Sequence, residues 1–197
     1  MKKIPFNVNA YAARLIGREN VSKLEGAILE LVKNTYDADA TICLLYYNNK
    51  DKYLLIADNG CGMNEDIIIN NWMTIGNSTK VNDFHTEKGR IQTGAKGIGR
   101  FALDRISQNC EMYTTTSSGS ILWRVDWNTF NHEKNITEIT ADIDNNSSLN
   151  VKKFLKNLNI DEMKEQFISN FNTGTVFKLT NLNDEWNSTL IADIRQG

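Results

Sequence analysis

Proline is nearly absent from the 197-residue chain: the one proline stands at position 5, so no Pro-rich linker divides the sequence. Cysteine is scarce as well. Cys43, Cys61 and Cys110 are odd in number and lack Cys-x-x-Cys spacing, which excludes a disulfide framework and a zinc site and leaves reduced thiols. No apolar run reaches the roughly 18 residues of a membrane span, and the amino terminus lacks an apolar secretory segment. A cytoplasmic protein without a membrane partner is expected. Nor does one charge dominate: 22 basic and 24 acidic residues give a net charge of −2, which does not support a sequence-wide grip on nucleic acid. What is present is an apolar content of 41%, close to the globular average, so global disorder is excluded.

Periodicity predicts a helix over 19–36, where Leu24, Ile28, Leu31 and Val32 recur at helical spacing. Segments 41–47 and 53–57 are β-branched, aromatic and aliphatic, and the Asn48-Asn49-Lys50-Asp51 turn between them predicts a hairpin. A short helix is expected over 65–72 and a further helix over 98–106. Between these helices, 76–97 is polar and without period, a length that reads as a functional lid. Strands are expected at 111–116, 121–127, 136–143 and 175–180, one or two helices in 152–171, and a closing helix at 185–194. This order predicts a single α+β domain over 1–197: a two-layer sandwich of a mixed, mainly antiparallel sheet with helices on one face.

Three segments carry chemistry. Glu30, Asn34 and Asp37 stand at i, i+4 and i+7, so at about 100° per residue they share roughly a 60° sector of the helix. Taken alone, such a triplet is a solvated polar face. Asp58-Asn59-Gly60-Cys61-Gly62-Met63 follows a strand directly, with an acceptor-only carboxylate at the strand end and two glycines that let backbone approach a flat ligand. An ordinary Asn-Gly turn explains Asn59-Gly60 but leaves Gly62 without a purpose. Thr93-Gly94-Ala95-Lys96-Gly97-Ile98-Gly99-Arg100-Phe101-Ala102 opens into a helix, where exposed N–H groups and Lys96 suit an anion. It is neither a Walker A loop nor a Rossmann fingerprint, which requires a strand before it.

In order and spacing these segments resemble the N, G1 and G2 boxes of the GHKL ATPases, the superfamily of gyrase, the large ATP-dependent heat-shock chaperone, histidine kinases and MutL. Gly174-Thr175 resembles the last nucleotide-site element of that family. Residues 72–80 and the Lys-Gly-Ile-Gly-Arg-Phe-Ala stretch are similar to a bacterial branch distantly related to MORC proteins. The resemblance implies the Bergerat fold, ATP and Mg²⁺ as cofactors, and slow hydrolysis that drives a conformational and dimerisation switch for further domains. It implies Glu30 as general base, Asn34 as the Mg²⁺ ligand and Asp37 as support for that face. Asp58 would read the adenine amine, Gly62 would allow close backbone approach, Met63 would form an apolar wall, and Thr175 would join Asp58 through water. Lys96, Gly97, Ile98 and Gly99 would hold the phosphates as the lid closes. In this family lid closure commonly creates a homodimer surface from the amino-terminal segment, here 1–15.

Two departures bear on the reading. The chain's histidines, His85 and His132, stand after the N box, so histidine autophosphorylation is not expected. Gyrase and MutL reach the γ-phosphate with a lysine from a following domain that 1–197 does not include; either hydrolysis does not need that lysine or, as expected here, the chain is the amino-terminal part of a longer protein. The alternative is a non-hydrolysing ATP-sensing module, which would have no need of Glu30. A structural interaction domain with coincidental motifs would show no Mg²⁺-dependent nucleotide affinity.

Overall fold

In a computed structural model of the chain, residues 3–4, 6–19, 21–76, 85–93, 99–145, 148–160 and 163–196 are described. Much of the expected lid, including Lys96 and Gly97, lies outside the described residues, as does Ile98 just after it. The elements are α1 (Ala10–Glu19), α2 (Leu24–Asp37), β1 (Cys43–Asn48), β2 (Tyr53–Asp58), α3 (Glu65–Ile67) continuing into a π turn (Ile68–Trp72), α4 (Phe101–Ile106), β3 (Ser107–Thr116), β4 (Gly119–Asp126), β5 (Asp142–Asp144), α5 (Val151–Asn157), α6 (Glu165–Ile168), β6 (Gly174–Leu182) and α7 (Ser188–Gln196).

The strands form a six-stranded sheet in the order β1-β2-β6-β3-β4-β5, with every neighbouring pair antiparallel. All six residues of β2 are buried. Side chains alternate faces along a strand, and Leu54 and Ile56 join a cluster with Leu24, Ile28 and Leu31 of α2 and Phe101, Leu103 and Ile106 of α4. Tyr53, Leu55 and Ala57 join another, with Val151, Phe154 and Leu155 of α5 and Ile168 of α6. The fold is the expected α+β sandwich, with short helices added over part of the opposite face. Because the last strand inserts between β2 and β3, Asp58 stands opposite Thr175, and Thr175 opposite Thr114. Three strands from distant parts of the chain thus meet in one row.

Two local expectations differ. Helix α1 was not foreseen: its buried residues are the small Ala10, Ala13 and Gly17, whereas the large apolar Leu15 and Ile16 face outward. Most of 136–143 is not strand. Asn135 and Glu138 form a capping box around a 3-10 turn, Ile136–Glu138, leaving only β5 extended. Cys43, Cys61 and Cys110 are free thiols. Among the described residues no helix is long and apolar enough to cross a membrane.

Candidate functional site

One end of the site is built by the sheet. Asp58 is 5% exposed, and its Oδ1 accepts the Gly60 N–H at 2.8 Å. Burial pushes its carboxyl up to about 7, against the opposing pull of the Gly60 and Thr175 N–H groups. The segment after it is held by neighbouring strands: the Met63 N–H donates to Thr114 Oγ1 at 2.7 Å, and Thr173 Oγ1 donates to the Gly60 carbonyl at 2.7 Å. Gly62 has φ +71°, and a Cβ there would collide with the Thr115 carbonyl. Gly174 has φ +131°, and a Cβ there would collide with the Asp58 carbonyl. Both positions require glycine for the strand ends to close. The Cys61 N–H donates to the Ala38 carbonyl at 2.9 Å, which ties this segment to the end of α2.

The other end is a helix face. Helix α2 buries Leu24, Ala27, Ile28, Leu31 and Thr35, while Glu30, Asn34 and Asp37 are half-buried on its other side. Each fully buried Leu or Ile stabilises by roughly 1.5–3 kcal/mol. The apolar face therefore holds the helix, and its polar face is available for chemistry. Gly99, just before α4, lies against this face: a Cβ on it would stand 3.1 Å from Glu30 Oε1 and 3.5 Å from Asn34 Nδ2. No cluster of three or more His, Cys, Asp or Glu able to hold a metal occurs among the described residues. The Asn34 side-chain oxygen is a hard donor of the kind Mg²⁺ accepts, since that cation takes few protein ligands and keeps waters.

Residues 85–93, expected to be part of the lid, are pinned to the end of α2. Asp37 Oδ1 accepts from the Thr93 N–H at 2.8 Å and from its hydroxyl at 3.1 Å. Asp39 accepts from the Thr86 hydroxyl and the Lys88 N–H, and Arg90 donates to the carbonyls of Tyr36 and Ala40. Burial opposes ionisation of Asp39, yet the Thr86 and Lys88 hydrogen bonds and the nearby Arg90 and Lys88 charges outweigh it and lower its pKa. Beyond Gly99, Arg100 donates to the carbonyls of Asn71 at 3.0 Å and Thr74 at 2.9 Å and lies 5.7 Å from the Trp72 ring. Burial lowers its pKa to about 10. It therefore joins the start of α4 to the π turn. Asp104 of α4 is fully buried and accepts from the Arg14 guanidinium of α1 through both carboxylate oxygens.

The structure thus brings Glu30, Asn34 and Gly99 together, and Asp58, Gly62, Met63 and Thr175 together. Asp37 is engaged with Thr93. Thr114, Thr93 and Arg100 were not foreseen as site residues. Arg100 stood inside a noted motif, but Thr114 belongs to the run Thr114-Thr115-Thr116, where only the insertion of β6 distinguishes the members.

A family model described as histidine kinase-, DNA gyrase B-, and HSP90-like ATPase matches residues 21–159. A putative type II restriction enzyme, HgiDII, from Herpetosiphon aurantiacus is 35% identical over 86 residues, which are 44% of this chain and 14% of that protein. The match therefore spans a small part of that relative's length.

Proposed function

The chain belongs to the histidine kinase-, DNA gyrase B- and HSP90-like ATPases, and on that footing we propose that it is one ATP-binding domain that hydrolyses ATP slowly, with Mg²⁺, to ADP and phosphate. The nucleotide cycle would serve as a conformational and dimerisation switch for further domains in a cytoplasmic protein. Support comes above all from Gly99 packing against Glu30 and Asn34, because it brings the end of the glycine-rich loop onto a helix face that carries both a carboxylate and an amide oxygen. ATP binding itself goes with the family.

In this reading Asp58, ionised, accepts the adenine amine, Gly62 and Met63 border the ring, and Thr175 completes the base edge through water. The N–H groups of Gly97, Ile98 and Gly99, with Lys96, hold the phosphates. Asn34 would hold Mg²⁺ through its side-chain oxygen, and the cation when bound neutralises phosphate charge. Glu30 orients a water and takes its proton as the water oxygen bonds to the γ-phosphorus and the bond from phosphorus to the ADP oxygen breaks. Asp37 supports this face by anchoring Thr93.

The switch has a physical route. Helix α4 follows the phosphate loop, and its buried Asp104 grips Arg14 of α1. Helix α1 and the preceding arm expose Ile4, Phe6, Val8, Leu15 and Ile16, an apolar surface suited to a second copy of the chain. Calorimetry with and without Mg²⁺, phosphate release, and light scattering with a non-hydrolysable ATP analogue test the three parts. The expected results are Mg²⁺-dependent binding, slow turnover and a mass increase with the analogue. Binding without turnover supports the ATP-sensing alternative. Absence of Mg²⁺-dependent binding overturns the proposal.

A further inference from the structure

Thr114 lies behind the base end of the site rather than in it. It is fully buried on β3, in register with Thr175 of β6, which is itself in register with Asp58 of β2. Its Oγ1 accepts the Met63 N–H at 2.7 Å, stands 3.2 Å from Thr175 Oγ1 and donates toward the Gly174 carbonyl at 3.3 Å. A hydroxyl has one proton and two lone pairs. The Met63 N–H fills one lone pair, so the remaining capacity is divided between Thr175 and Gly174. If the proton points to the Gly174 carbonyl, Thr175 must donate inward. If it points to Thr175, the Thr175 proton is directed elsewhere. In either arrangement the orientation of the Thr175 hydroxyl depends on Thr114.

Resting on the ATP reading above, we propose that Thr114 is the positioning residue of the base subsite. Without touching nucleotide, it fixes the Met63 backbone on one side and the Thr175 hydroxyl on the other, and so determines how tightly the adenine ring is held. The next residue supplies a matched control. Thr115 is also a buried threonine of β3, but its Oγ1 accepts the Val151 N–H at 2.9 Å and pairs with Ser120 Oγ at 3.0 Å. Its hydroxyl therefore secures the start of α5 and the β3–β4 hairpin. Both threonines satisfy a buried N–H, but only Thr114 does so for the base segment.

The experiment is calorimetry on the whole chain and its variants T114V, T114S and T115V, with adenosine, Mg²⁺-ATP and Mg²⁺-tripolyphosphate as probes, and thermal unfolding to establish the folded fraction. Losing one buried hydrogen-bond partner predicts that T114V binds adenosine and ATP about tenfold more weakly. Tripolyphosphate binding should be unchanged, because it never meets the base end. T114S should restore adenosine affinity, and T115V should lower the unfolding temperature without moving it. If T114V does not fold, T114A removes the same hydroxyl with less bulk and carries the measurement. Folded T114V or T114A with parental adenosine affinity overturns the proposal, and so does an equal loss toward tripolyphosphate or in T115V. A parent protein that binds neither adenosine nor ATP overturns the ATP reading instead, a failure visible before any variant is made.

Discussion

The two ends of the site are made by different means. At the base end, Asp58, Thr114 and Thr175 come from three strands, all nearly inaccessible to solvent, and strand register alone sets their mutual positions. At the phosphate end, Glu30 and Asn34 come from one turn of one helix, are half-buried, and meet the rest of the site through a loop that ends at Gly99. A residue fixed by register cannot move without disturbing a ladder of hydrogen bonds, whereas a loop can reposition at low cost. Under the proposed function, recognition falls to the sheet, and the chemistry and its switching to the helix and loop.

The largest expected effect tests that division. A general base contributes about 10²–10⁴-fold to rate through the transition state alone, so E30A should lose at least about 100-fold in phosphate release. Its ATP affinity should stay within roughly threefold of the parent, since ground-state binding does not use the base. Parental turnover in E30A places the base elsewhere. Equal losses in binding and turnover remove the division itself.

Asp58 offers the next test, because its pKa is raised to about 7 by burial. In the proposed reading the ionised carboxylate accepts the adenine amine, so adenosine binding favours loss of a proton, and affinity should rise with pH up to about 7 and then level. By linkage to one proton, adenosine should bind about tenfold more tightly at pH 8 than at pH 6. The unliganded protein should respond in the opposite sense. With the folded pKa above the ordinary aspartate value, the folded state holds a proton that the unfolded state has released, so Asp58 contributes stability at low pH that is lost as pH rises from near 4 through about 7. D58N should abolish both trends, bind ATP weakly, and be more stable than the parent at pH 8. An adenosine affinity independent of pH in the parent would separate Asp58 from the base.

What could be read in advance follows the same boundary. The shared helix face of Glu30, Asn34 and Asp37 was legible from helical spacing, and the place of Asp58 from a carboxylate ending an apolar strand, while the roles given to them came with the family resemblance. Thr114 was not legible, since its role exists only once β6, some 60 residues later in the chain, lies between β2 and β3. In the fold, the large apolar residues of α2 announced it, while α1 buries only small residues and was missed. The covering of the opposite face by α5 and α6 was foreshadowed in β2, whose sequence Tyr53 to Ala57 is apolar throughout instead of alternating. The anchoring of residues 85–93 was hidden for a different reason. It depends on Asp37 and Asp39, polar residues whose partners lie some 50 positions away and follow no period.

That anchoring gives the smallest effect and the finest test of how the two ends are joined. Asp37 Oδ1 takes both the N–H and the hydroxyl of Thr93, an exposed residue just before the glycine-rich loop. A partly exposed hydrogen bond of this kind contributes about 0.5–1.5 kcal/mol, so D37A should weaken ATP binding only by roughly threefold to tenfold and leave adenosine binding unchanged. T93A removes the hydroxyl but keeps the N–H, and should cost less. If Asp37 acts by anchoring Thr93, the double variant D37A/T93A should cost no more than D37A alone, because the second change removes an interaction already lost. Additive losses, or an adenosine affinity that falls with them, would place Asp37 in direct contact with the ligand and erase the boundary between a sheet that recognises and a helix and loop that switch.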